Sequence, residues 1–471
     1  MEALSAVRAR RRQALCALVG APVLLGNNGT RPRNLPINSL PFRSDSTFLY
    51  FTGCTEPGAF ALLVDGACTI FLAPPEPGDE LWHGEVPSIH ARAERLGIEH
   101  ARPLGELGDA AEAHAGRLLT LAVPDPAITA RLARLSGRRL AYPASPGPRS
   151  LVDAVIQLRR TRDAHELAEI REAAELAGAG HRMLMRATRV GGSERGLAAL
   201  FEAFIAARGA VTSYHPIVTV RGEVLHNPDY PNPLRDGDLL LVDAGSESVG
   251  GYASDITRTW PVNGRFDGRQ RALYSLVLAA NEACITMCRA GQRYRDIHFA
   301  ATRMLAEGLC DLSLLRGPVD DLVESGAAGL FFPHGVGHLI GLDVHDLENF
   351  GDRPAYAAGR SRPLQFGARY LRMDLDLEAD MVVTIEPGLY LVPAILHDRA
   401  LRARFGEQVN FEEAERWLGL GGIRIEDDVR IRPPTEQGGE PEVLSGRVPK
   451  HIAELEQLIG SGPSAEERLS A

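Results

Sequence analysis

The first third of the chain alternates short apolar runs with helical stretches. Apolar runs at residues 22–26, 59–66, 68–74 and 118–124 have the length of buried strands, and residues 8–19 are typical of an amphipathic helix. Strands that alternate with helices predict an α/β domain. Residues 141–150 are rich in Pro, Gly and Ser, which indicates a linker, so we place the first domain at residues 1–155.

The second part of the chain, residues 156–458, mixes longer helices with short strands. The pattern is almost wholly helical at 151–190 and 269–309 and rich in strands at 211–259. Short strands are expected within 381–391 and 421–431, and long loops or insertions at 349–380 and 392–419. The small, polar residues 459–471 predict a disordered tail.

One predicted hairpin brings two carboxylates together. Residues 239–260 have the pattern of two strands joined by a turn at 247–251, and folding them back about Val249 sets Asp243 opposite Asp255. Opposed residues of an antiparallel pair have Cβ atoms about 4.5–5.5 Å apart. Two carboxylates that close repel each other unless a proton or a cation is shared between them. The pair therefore indicates either a metal site or a general acid/base dyad.

Further residues of metal-ligating type follow apolar runs or lie in glycine-rich segments. They are His226, His334, His338, His345, Glu386 and Glu426. Taken singly, each histidine fits packing or solvation, Asp427 and Asp428 fit solvent exposure, and Arg424 fits an ion pair with Glu426. Four acids and one central histidine in such contexts together favour a shared cleft.

Composition and charge exclude several classes. The chain has 471 residues, 45% of them hydrophobic and 24% charged, as soluble globular proteins do. A net charge of −10 argues against a nucleic-acid partner. Six cysteines without a CxxC motif indicate reduced thiols and a cytoplasmic location. The basic residues 8–12 before an apolar run resemble a signal peptide, but an amphipathic helix fits better, and nothing approaches the roughly 18 apolar residues of a membrane span.

Three catalytic motifs are also excluded. The glycines at 335, 337 and 341 have one residue too many for a dinucleotide fingerprint, and they follow no strand. The sequence contains neither the HExxH pattern of zinc peptidases nor the GxSxG elbow of serine hydrolases.

The ordered motifs LLLVDAG, DITRTWPVNG, HGVGHLIGLDVHD, TIEPGLY and GIRIEDDV carry a resemblance, together with RRRQAL and FRSDSTFLYFTG near the N-terminus. With them the chain resembles the metal-dependent Xaa-Pro aminopeptidases (aminopeptidase P) of metallopeptidase family M24, in the pita-bread superfamily. The resemblance spans about residues 12–455. It implies an α/β N-terminal domain like that of creatinase and aminopeptidase P, followed by an α+β pita-bread catalytic domain.

The same resemblance implies a site with two metal ions. Asp243 would chelate one ion, Asp255 and Glu426 would bridge both, and His338 and Glu386 would complete the second. The substrate-side residues would be His226, His334, His345 and Arg424, the last of which would orient carboxylate ligands. Trp82 matches, more weakly, a tryptophan that a neighbouring subunit supplies, whereas Asn38 stands about where some relatives carry an aspartate that reaches a partner's site. Homodimers or homotetramers are implied.

Four carboxylates and one imidazole suit Mn²⁺, with Co²⁺ or Zn²⁺ as alternatives. The implied reaction is attack of a hydroxide held between two ions on a peptide whose second residue is proline. Glu386 would pass the water's proton to the leaving proline nitrogen, and His334 and His345 would donate hydrogen bonds to the oxyanion. A slightly negative site also suits the substrate's free ammonium group.

Several alternatives remain open at this point. A prolidase would cleave Xaa-Pro dipeptides only, and a non-catalytic pita-bread protein would bind partners or nucleic acid. A methionine aminopeptidase is disfavoured because its shorter chain lacks the N-terminal domain. A metal-free hydrolase like creatinase is disfavoured because all five ligand positions hold ligating residues.

Overall fold

The computed structural model describes residues 3–470 and divides into two compact units. Unit 1 runs to Arg160 and includes Leu347–Pro354, and unit 2 comprises Thr161–Asp346 and the chain from Ala355 onward. The predicted boundary after residue 155 falls inside the helix at Arg149–Arg159, whereas the units divide just after that helix.

Unit 1 contains seven helices among the described residues. They are α1 (Leu4–Val19), α2 (Ser46–Thr52), α3 (Asp79–His83), α4 (Ile89–Arg95), α5 (Leu107–Glu112), α6 (Pro126–Ser136) and α7 (Arg149–Arg159). Its strands are β1 (Val23–Gly26), β2 (Phe60–Val64), β3 (Ala67–Leu72), β4 (His100–Pro103) and β5 (Leu119–Thr120). Short 3₁₀ turns lie at Leu104–Glu106 and Glu348–Phe350.

The strands of unit 1 form one mixed sheet in the order β4-β3-β2-β1-β5. β1 pairs antiparallel with β2 and parallel with β5, and all four of its residues are buried. α6 begins where the Asp125 carboxylate caps its first turn, with Pro126 at the first helical position, and it ends at Gly137 in the left-handed conformation. Leu132 of this helix packs with Leu24 and Phe60 in a core beside the sheet.

Unit 2 holds the longer helices. They are α8 (Ala164–Ala187), α9 (Glu194–Ala206), α10 (Gly268–Met287), α11 (Tyr294–Asp311), α12 (Val319–Ser325), α13 (Pro393–Leu396), α14 (Arg399–Phe405), α15 (Phe411–Arg416), α16 (Ile452–Leu458) and α17 (Ala465–Ser470). Its strands are β6 (Val211–Thr212), β7 (Ile217–Thr219), β8 (Leu239–Asp243), β9 (Ser246–Glu247), β10 (Thr257–Pro261), β11 (Val382–Ile385), β12 (Gly388–Tyr390), β13 (Gly422–Arg424), β14 (Asp427–Arg430) and β15 (Glu442–Val443). Short 3₁₀ turns lie at Ala328–Leu330, Ala368–Tyr370 and Gln437–Gly439.

These strands pair into small antiparallel sheets. β8 lies between β10 and β7, β14 lies between β11 and β15, β12 pairs with β13, and β6 pairs with β9. One apolar core, which includes the fully buried Trp260 and Tyr294, packs α8 to α11 against these sheets. The indole N–H of Trp260 donates to the Thr188 hydroxyl, so this buried polar group is satisfied.

Residues 151–190 are almost wholly helical, as predicted, and they form two helices because Asp163 caps a new helix, α8, in a capping box with Glu166. Two sequence expectations differ from the structure. Residues 392–419 form α13, α14 and α15 rather than a long loop, with Asp398 and Asn410 as N-caps of the last two. The predicted disordered tail contains α17, whose Ala465 is buried in the core of unit 2.

Across residues 3–470, no helix combines the length and the apolar character needed to cross a lipid bilayer. Five of the six cysteines are buried and Cys310 is half-buried.

Candidate metal centre

The register of β8 and β10 places the two aspartates of the predicted hairpin. Asp243, at the end of β8, pairs with Thr257, the first residue of β10, so the prediction that Asp255 lies opposite Asp243 was wrong by two residues. The connecting segment is longer than a tight turn because Ser246 and Glu247 form β9 and pair with β6 instead. Asp255 precedes β10, and its carboxylate still lies within 4.8 Å of that of Asp243.

His338 and Glu386 are brought together by main-chain pairing alongside β11. The Thr384 N–H donates to the His338 carbonyl at 2.9 Å, and the Glu386 N–H donates to the Val336 carbonyl at 2.8 Å. The His338 N–H in turn donates to the Thr384 hydroxyl at 3.0 Å. The segment that bears His338 therefore follows the end of β11, where Glu386 emerges.

Glu426 lies between β13 and β14, where the chain crosses from one sheet to another. Its N–H donates to the Thr257 carbonyl at 3.0 Å, and its Oε2 accepts from the Thr257 hydroxyl at 2.6 Å. The first residue of β10 thus fixes both the backbone and the carboxylate of Glu426.

The predicted ligands converge. Ligand atoms that lie within 4.8 Å of one another form three overlapping groups, which are Asp243 with Asp255 and Glu426, His338 with Glu386 and Glu426, and Asp255 with His338 and His345. Asp255, His338 and Glu426 each belong to two groups. All five residues predicted as ligands line one cavity of about 620 Å³.

The buried carboxylates of this cluster favour a bound cation, which would balance their negative charge. Burial raises the pKa of Glu386 to about 7, and it raises the pKa of Glu426 well above its usual range, with the neighbouring carboxylates adding to the effect. Burial would lower the pKa of His338, but the Asp255 and Glu386 carboxylates outweigh it and raise that pKa to about 9. In metal-free protein these carboxylates would favour a second proton, on His338 Nε2, which a bound metal ion would displace.

The imidazole of His338 is oriented for a metal ion. Its Nδ1 lies 3.0 Å from the Leu339 carbonyl, which can only accept, so Nδ1 carries the proton. The Nε2 atom then faces Asp255 Oδ2 at 3.4 Å and Glu386 Oε1 at 3.9 Å. A lone pair directed at two carboxylates calls for a cation between them, and a backbone-anchored Nδ1 is the usual support of a metal-binding histidine.

Arg424 pairs with a different carboxylate from the one expected. Its guanidinium forms a buried ion pair with Asp243, donates from Nε to the Thr257 hydroxyl at 3.0 Å, and donates to the Tyr390 hydroxyl at 2.9 Å. The alternative considered from the sequence, an ion pair with Glu426, is not the one observed, because the Glu426 carboxylate accepts from the Thr257 hydroxyl. Arg424 nevertheless orients a carboxylate of the cluster.

The three remaining histidines lie around the same cavity. His334 Nδ1 donates to the Gly335 carbonyl at 2.7 Å, and its Nε2 accepts from the Tyr390 hydroxyl at 2.8 Å. The rings of His345 and His338 stand edge to face, 4.4 Å apart. Burial lowers the pKa of His345 to about 2 and that of His334 to about 3, so both are neutral. His226 is more exposed and lines the cavity mouth.

Asp427 and Asp428 are fully buried rather than solvent-facing, because β14 lies inside its sheet. Asp427 accepts from Arg258 at 2.7 Å and from Lys450 at 2.9 Å, which hold the pKa of its carboxyl well below the usual range despite burial. Asp428 accepts from the Asp255 N–H at 3.1 Å. The expectation of exposure was therefore wrong for both residues.

Sequence reasoning missed three hydroxyl groups at the site. The Tyr214 hydroxyl contacts Oδ1 of both Asp243 and Asp255, and its single proton can be donated to only one of them at a time. Thr257 and Tyr390 link Arg424 to Glu426 and to His334. No motif marks Tyr214, which precedes β7, so the sequence contained no signal for it. Thr257 and Tyr390 lie within motifs that were singled out for their acids, and those motifs could have indicated them.

Residues of unit 2 from both segments predicted as long loops or insertions line the cavity. Arg362, Phe366, Tyr370 and Arg372 come from 349–380, and Val392 and Ile395 come from 392–419. In unit 1, Trp82 is 78% exposed on α3, and Asn38 lies in an exposed loop where its amide donates to Asn34. Their expected contact with a partner's site stays a prediction.

Comparisons with known proteins identify the family to which the chain is similar. The sequence model of metallopeptidase family M24 matches residues 168–433, and that of the aminopeptidase P N-terminal domain matches residues 8–118. A probable Xaa-Pro aminopeptidase of Penicillium rubens is 32% identical over 434 residues, 89% of each chain. The structure of Pseudomonas aeruginosa aminopeptidase PepP has a TM-score of 0.79 and 31% identity, covering 96% of this chain and 97% of its own.

A zinc-substituted Escherichia coli aminopeptidase P in complex with product has a TM-score of 0.78 and 28% identity, covering 97% of this chain and 98% of its own. The predicted fold, an aminopeptidase P-type N-terminal domain followed by an α+β pita-bread catalytic domain, is thus confirmed, and so is a divalent-metal enzyme. With a family model over residues 168–433 and a relative that covers 89% of it, the chain belongs to metallopeptidase family M24, among the Xaa-Pro aminopeptidases.

Proposed function

We propose that this protein removes the first residue from peptides whose second residue is proline, and that it does so with two divalent metal ions. The observation that supports this most directly is the overlap of the ligand groups, in which Asp255, Glu426 and His338 each belong to two. Of these, only the two carboxylates have two oxygen atoms to bind two ions, since Nδ1 of the histidine faces a backbone carbonyl. That overlap supports a bridging role for these two carboxylates, with Asp243 on one ion and His338 and Glu386 on the other. Four carboxylate donors and one imidazole favour Mn²⁺ over softer metals.

Two ions at this site would lower the pKa of a shared water molecule and polarise the scissile carbonyl. Glu386 is the proton carrier that we assign, because its carboxylate lines the cavity beside the other proposed ligands, where a bound water would lie. Its side chain is 16% exposed.

His345 is the candidate for donating a hydrogen bond to the oxyanion. Its neutral imidazole keeps one N–H and lines the cavity beside His338. His334 is less free than the sequence suggested, since both of its ring nitrogens already have partners. Hydrogen bonds join His334 to Tyr390 and Tyr390 to Arg424, which pairs with Asp243. We assign to these residues the role of fixing the cavity wall and the Asp243 carboxylate.

A peptide panel after metal reconstitution tests the proposal. Metal-free protein is loaded with Mn²⁺, Co²⁺ or Zn²⁺ and incubated with Xaa-Pro-Yaa, Xaa-Ala-Yaa and Xaa-Pro substrates, and the released first residue is quantified. We expect release from Xaa-Pro-Yaa only when the ions are present. Cleavage of the dipeptide alone would support a prolidase, and no cleavage by protein that binds no ions would support a non-catalytic binding protein.

The oligomeric state stays a prediction. The exposed indole of Trp82 fits a residue that becomes covered by, or inserted into, a second subunit, but Asn38 lacks a carboxylate for such a contact. Light scattering coupled to gel filtration would distinguish a monomer from a homodimer or homotetramer.

A further inference from the structure

The segment that carries three of the site's histidines, residues 334–346, has little regular structure of its own. We name it the histidine segment. Within the described chain, it forms no helix and no strand, and one isolated bridge joins Leu339 to Val383. Its first half is tied to β11 by main-chain hydrogen bonds. Its second half, which contains His345, is held in place by contacts from another part of the chain.

Arg162, which precedes α8, supplies that support from a distant part of the chain. Its Nη2 donates to Asp346 Oδ2 at 2.6 Å and to the Ile340 carbonyl at 2.8 Å. One guanidinium thus contacts both sides of the turn that leads to His345. Asp346 closes the same turn, because its N–H donates to the Leu339 carbonyl at 3.0 Å.

The backbone at Gly341 passes close to both charged groups of this pair. A Cβ atom on Gly341 would lie 2.5 Å from Arg162 Nη2 and 2.5 Å from Asp346 Oδ2. Glycine is therefore required for the two charged groups to meet across the turn. The Gly341 carbonyl also accepts from the Ala253 N–H at 2.7 Å, which joins this turn to the stretch just before Asp255.

The ion pair of Arg162 with Asp346 is not explained by its contribution to the overall stability of the fold. The side chains of Arg162 and Asp346 are 1% and 0% exposed, and the desolvation of a buried ion pair cancels much of its attraction. Among the described residues, Arg162 Nε has no hydrogen-bond partner, which adds to the cost. Buried ion pairs are best attested as devices that fix register.

We propose that Arg162 and Asp346 are positioning residues that hold His338 and His345 in the geometry needed for metal binding and turnover. The inference rests on the proposed function only in taking His338 as a metal ligand. Loss of the Arg162 guanidinium would remove the donor that joins Asp346 to the Ile340 carbonyl, so the turn between them would loosen and shift His345.

The test uses the full chain, with Arg162→Met as the main variant. This change keeps an unbranched side chain and removes the charge. We expect the dissociation constant for Mn²⁺ to rise about 10–100-fold, as it does when outer partners of metal ligands are lost. We also expect an altered visible absorption of the Co²⁺-loaded protein, and a fall in kcat that exceeds the change in KM.

Arg171→Met is the matched control. Arg171 makes a bidentate ion pair with Glu442 at 2.7 and 2.9 Å, also in unit 2, but it contacts no residue of the histidine segment. We expect this variant to lose stability while its Mn²⁺ affinity and Co²⁺ spectrum remain those of the wild type. If Arg162→Met behaves as this control does, the positioning role is overturned.

Arg162→Lys keeps the inference testable if the methionine variant does not fold. Lysine retains the charge but lacks the planar fork, so we expect a smaller loss of Mn²⁺ affinity, about 3–10-fold. A lysine variant with unchanged affinity and spectrum overturns the inference. Both readouts are taken without peptide, so wild-type protein that binds metal but leaves Xaa-Pro peptides intact would contradict the proposed function alone.

Discussion

Asp243 pairs in register with Thr257, so a hydroxyl rather than the Asp255 carboxylate lies directly opposite it. The Thr257 hydroxyl donates to Glu426 at 2.6 Å and accepts from Arg424 Nε at 3.0 Å. Arg424 in turn pairs with Asp243. A single side chain therefore couples the carboxylates at the two edges of the candidate metal centre.

Thr257→Val is expected to weaken metal binding without emptying the site. The methyl group that replaces the hydroxyl leaves Glu426 free to rotate and Arg424 Nε without an acceptor. We expect about 10–100-fold weaker Mn²⁺ binding, measured by titration calorimetry, and a loss of roughly 1–3 kcal/mol in unfolding free energy.

Thr302→Val is the control for that variant. It removes a buried hydroxyl that donates to the His298 carbonyl at 2.9 Å on α11. A comparable stability loss with wild-type Mn²⁺ affinity is expected there. Equal metal affinities in the two variants would contradict the coupling role of Thr257.

Asp255→Asn should reduce peptidase activity by several orders of magnitude and leave the fold intact. The amide carries no charge and is a poor bridge between two cations, while Asp255 lies in a cleft rather than in the apolar core. Metal analysis of the loaded variant should find fewer ions per chain than in the wild type. Normal turnover with full metal content would refute the dinuclear assignment.

Metal-free protein should lose stability as the pH rises from about 6.5 to 9. Burial raises the folded-state pKa of Glu386 from its usual 4.5 to about 7, and the carboxylates around His338 raise that pKa from 6.5 to about 9 despite burial. A raised pKa means that the folded state binds protons more tightly, so its contribution to stability is complete at low pH. It is then lost as the pH rises through the folded-state value.

Urea unfolding from pH 4.5 to 9 measures this effect. Below pH 6.5 the buried neutral histidines, whose pKa values are lowered, oppose this effect, so the unfolding free energy of chelated protein should fall between pH 6.5 and 9. Saturating Mn²⁺ should restore it at the high end, by about 2.7 kcal/mol at 100 times the dissociation constant. The difference in unfolding free energy between chelated wild type and chelated Glu386→Gln should shrink between pH 4.5 and 7, and a difference that stays constant would contradict the assignment of that carboxyl.

Glu442 should have the opposite pH dependence. Partial burial alone would raise its pKa, but hydrogen bonds from Arg171 and Arg430 outweigh burial and lower the pKa from 4.5 to about 2. A lowered pKa gives stability that is present above pH 4.5 and is lost as the pH falls through 2.

Glu442→Gln should therefore destabilise the protein near neutral pH by about 1 kcal/mol. The difference from the wild type should shrink as the pH falls from 4.5 toward 2, as followed by thermal unfolding. Glu440→Gln, at a side chain that is 69% exposed, should change stability little at any pH. A difference between Glu442→Gln and the wild type that does not depend on pH would contradict the charged pairing.

The apolar pattern predicted most strands of both units but not every boundary. Runs such as 239–243 and 382–385 are strands because their residues are buried on both faces. The helices within 392–419 were missed because their caps, Asp398 and Asn410, begin segments of only six or seven residues. So short a segment carries too little hydrophobic periodicity to distinguish a helix from a loop.

The sequence by itself determined which ligands are available. The spacing of acids and histidines, together with the family resemblance, singled out Asp243, Asp255, His338, Glu386 and Glu426, which the fold brings to one cavity. Residue type fixes which atoms can bind a hard cation, and motif order limits which strands carry them.

Only the tertiary structure decided how these ligands are held. The pairing of Asp243 with Thr257, the ion pair of Arg424 with Asp243 and the reach of Arg162 to Asp346 join residues separated by up to 184 positions. Such contacts depend on strand register and on chain crossings, and a shift of two residues in register leaves the alternating pattern of a strand unchanged. Hydrophobic patterning therefore cannot distinguish these partners, and packing in three dimensions must select them.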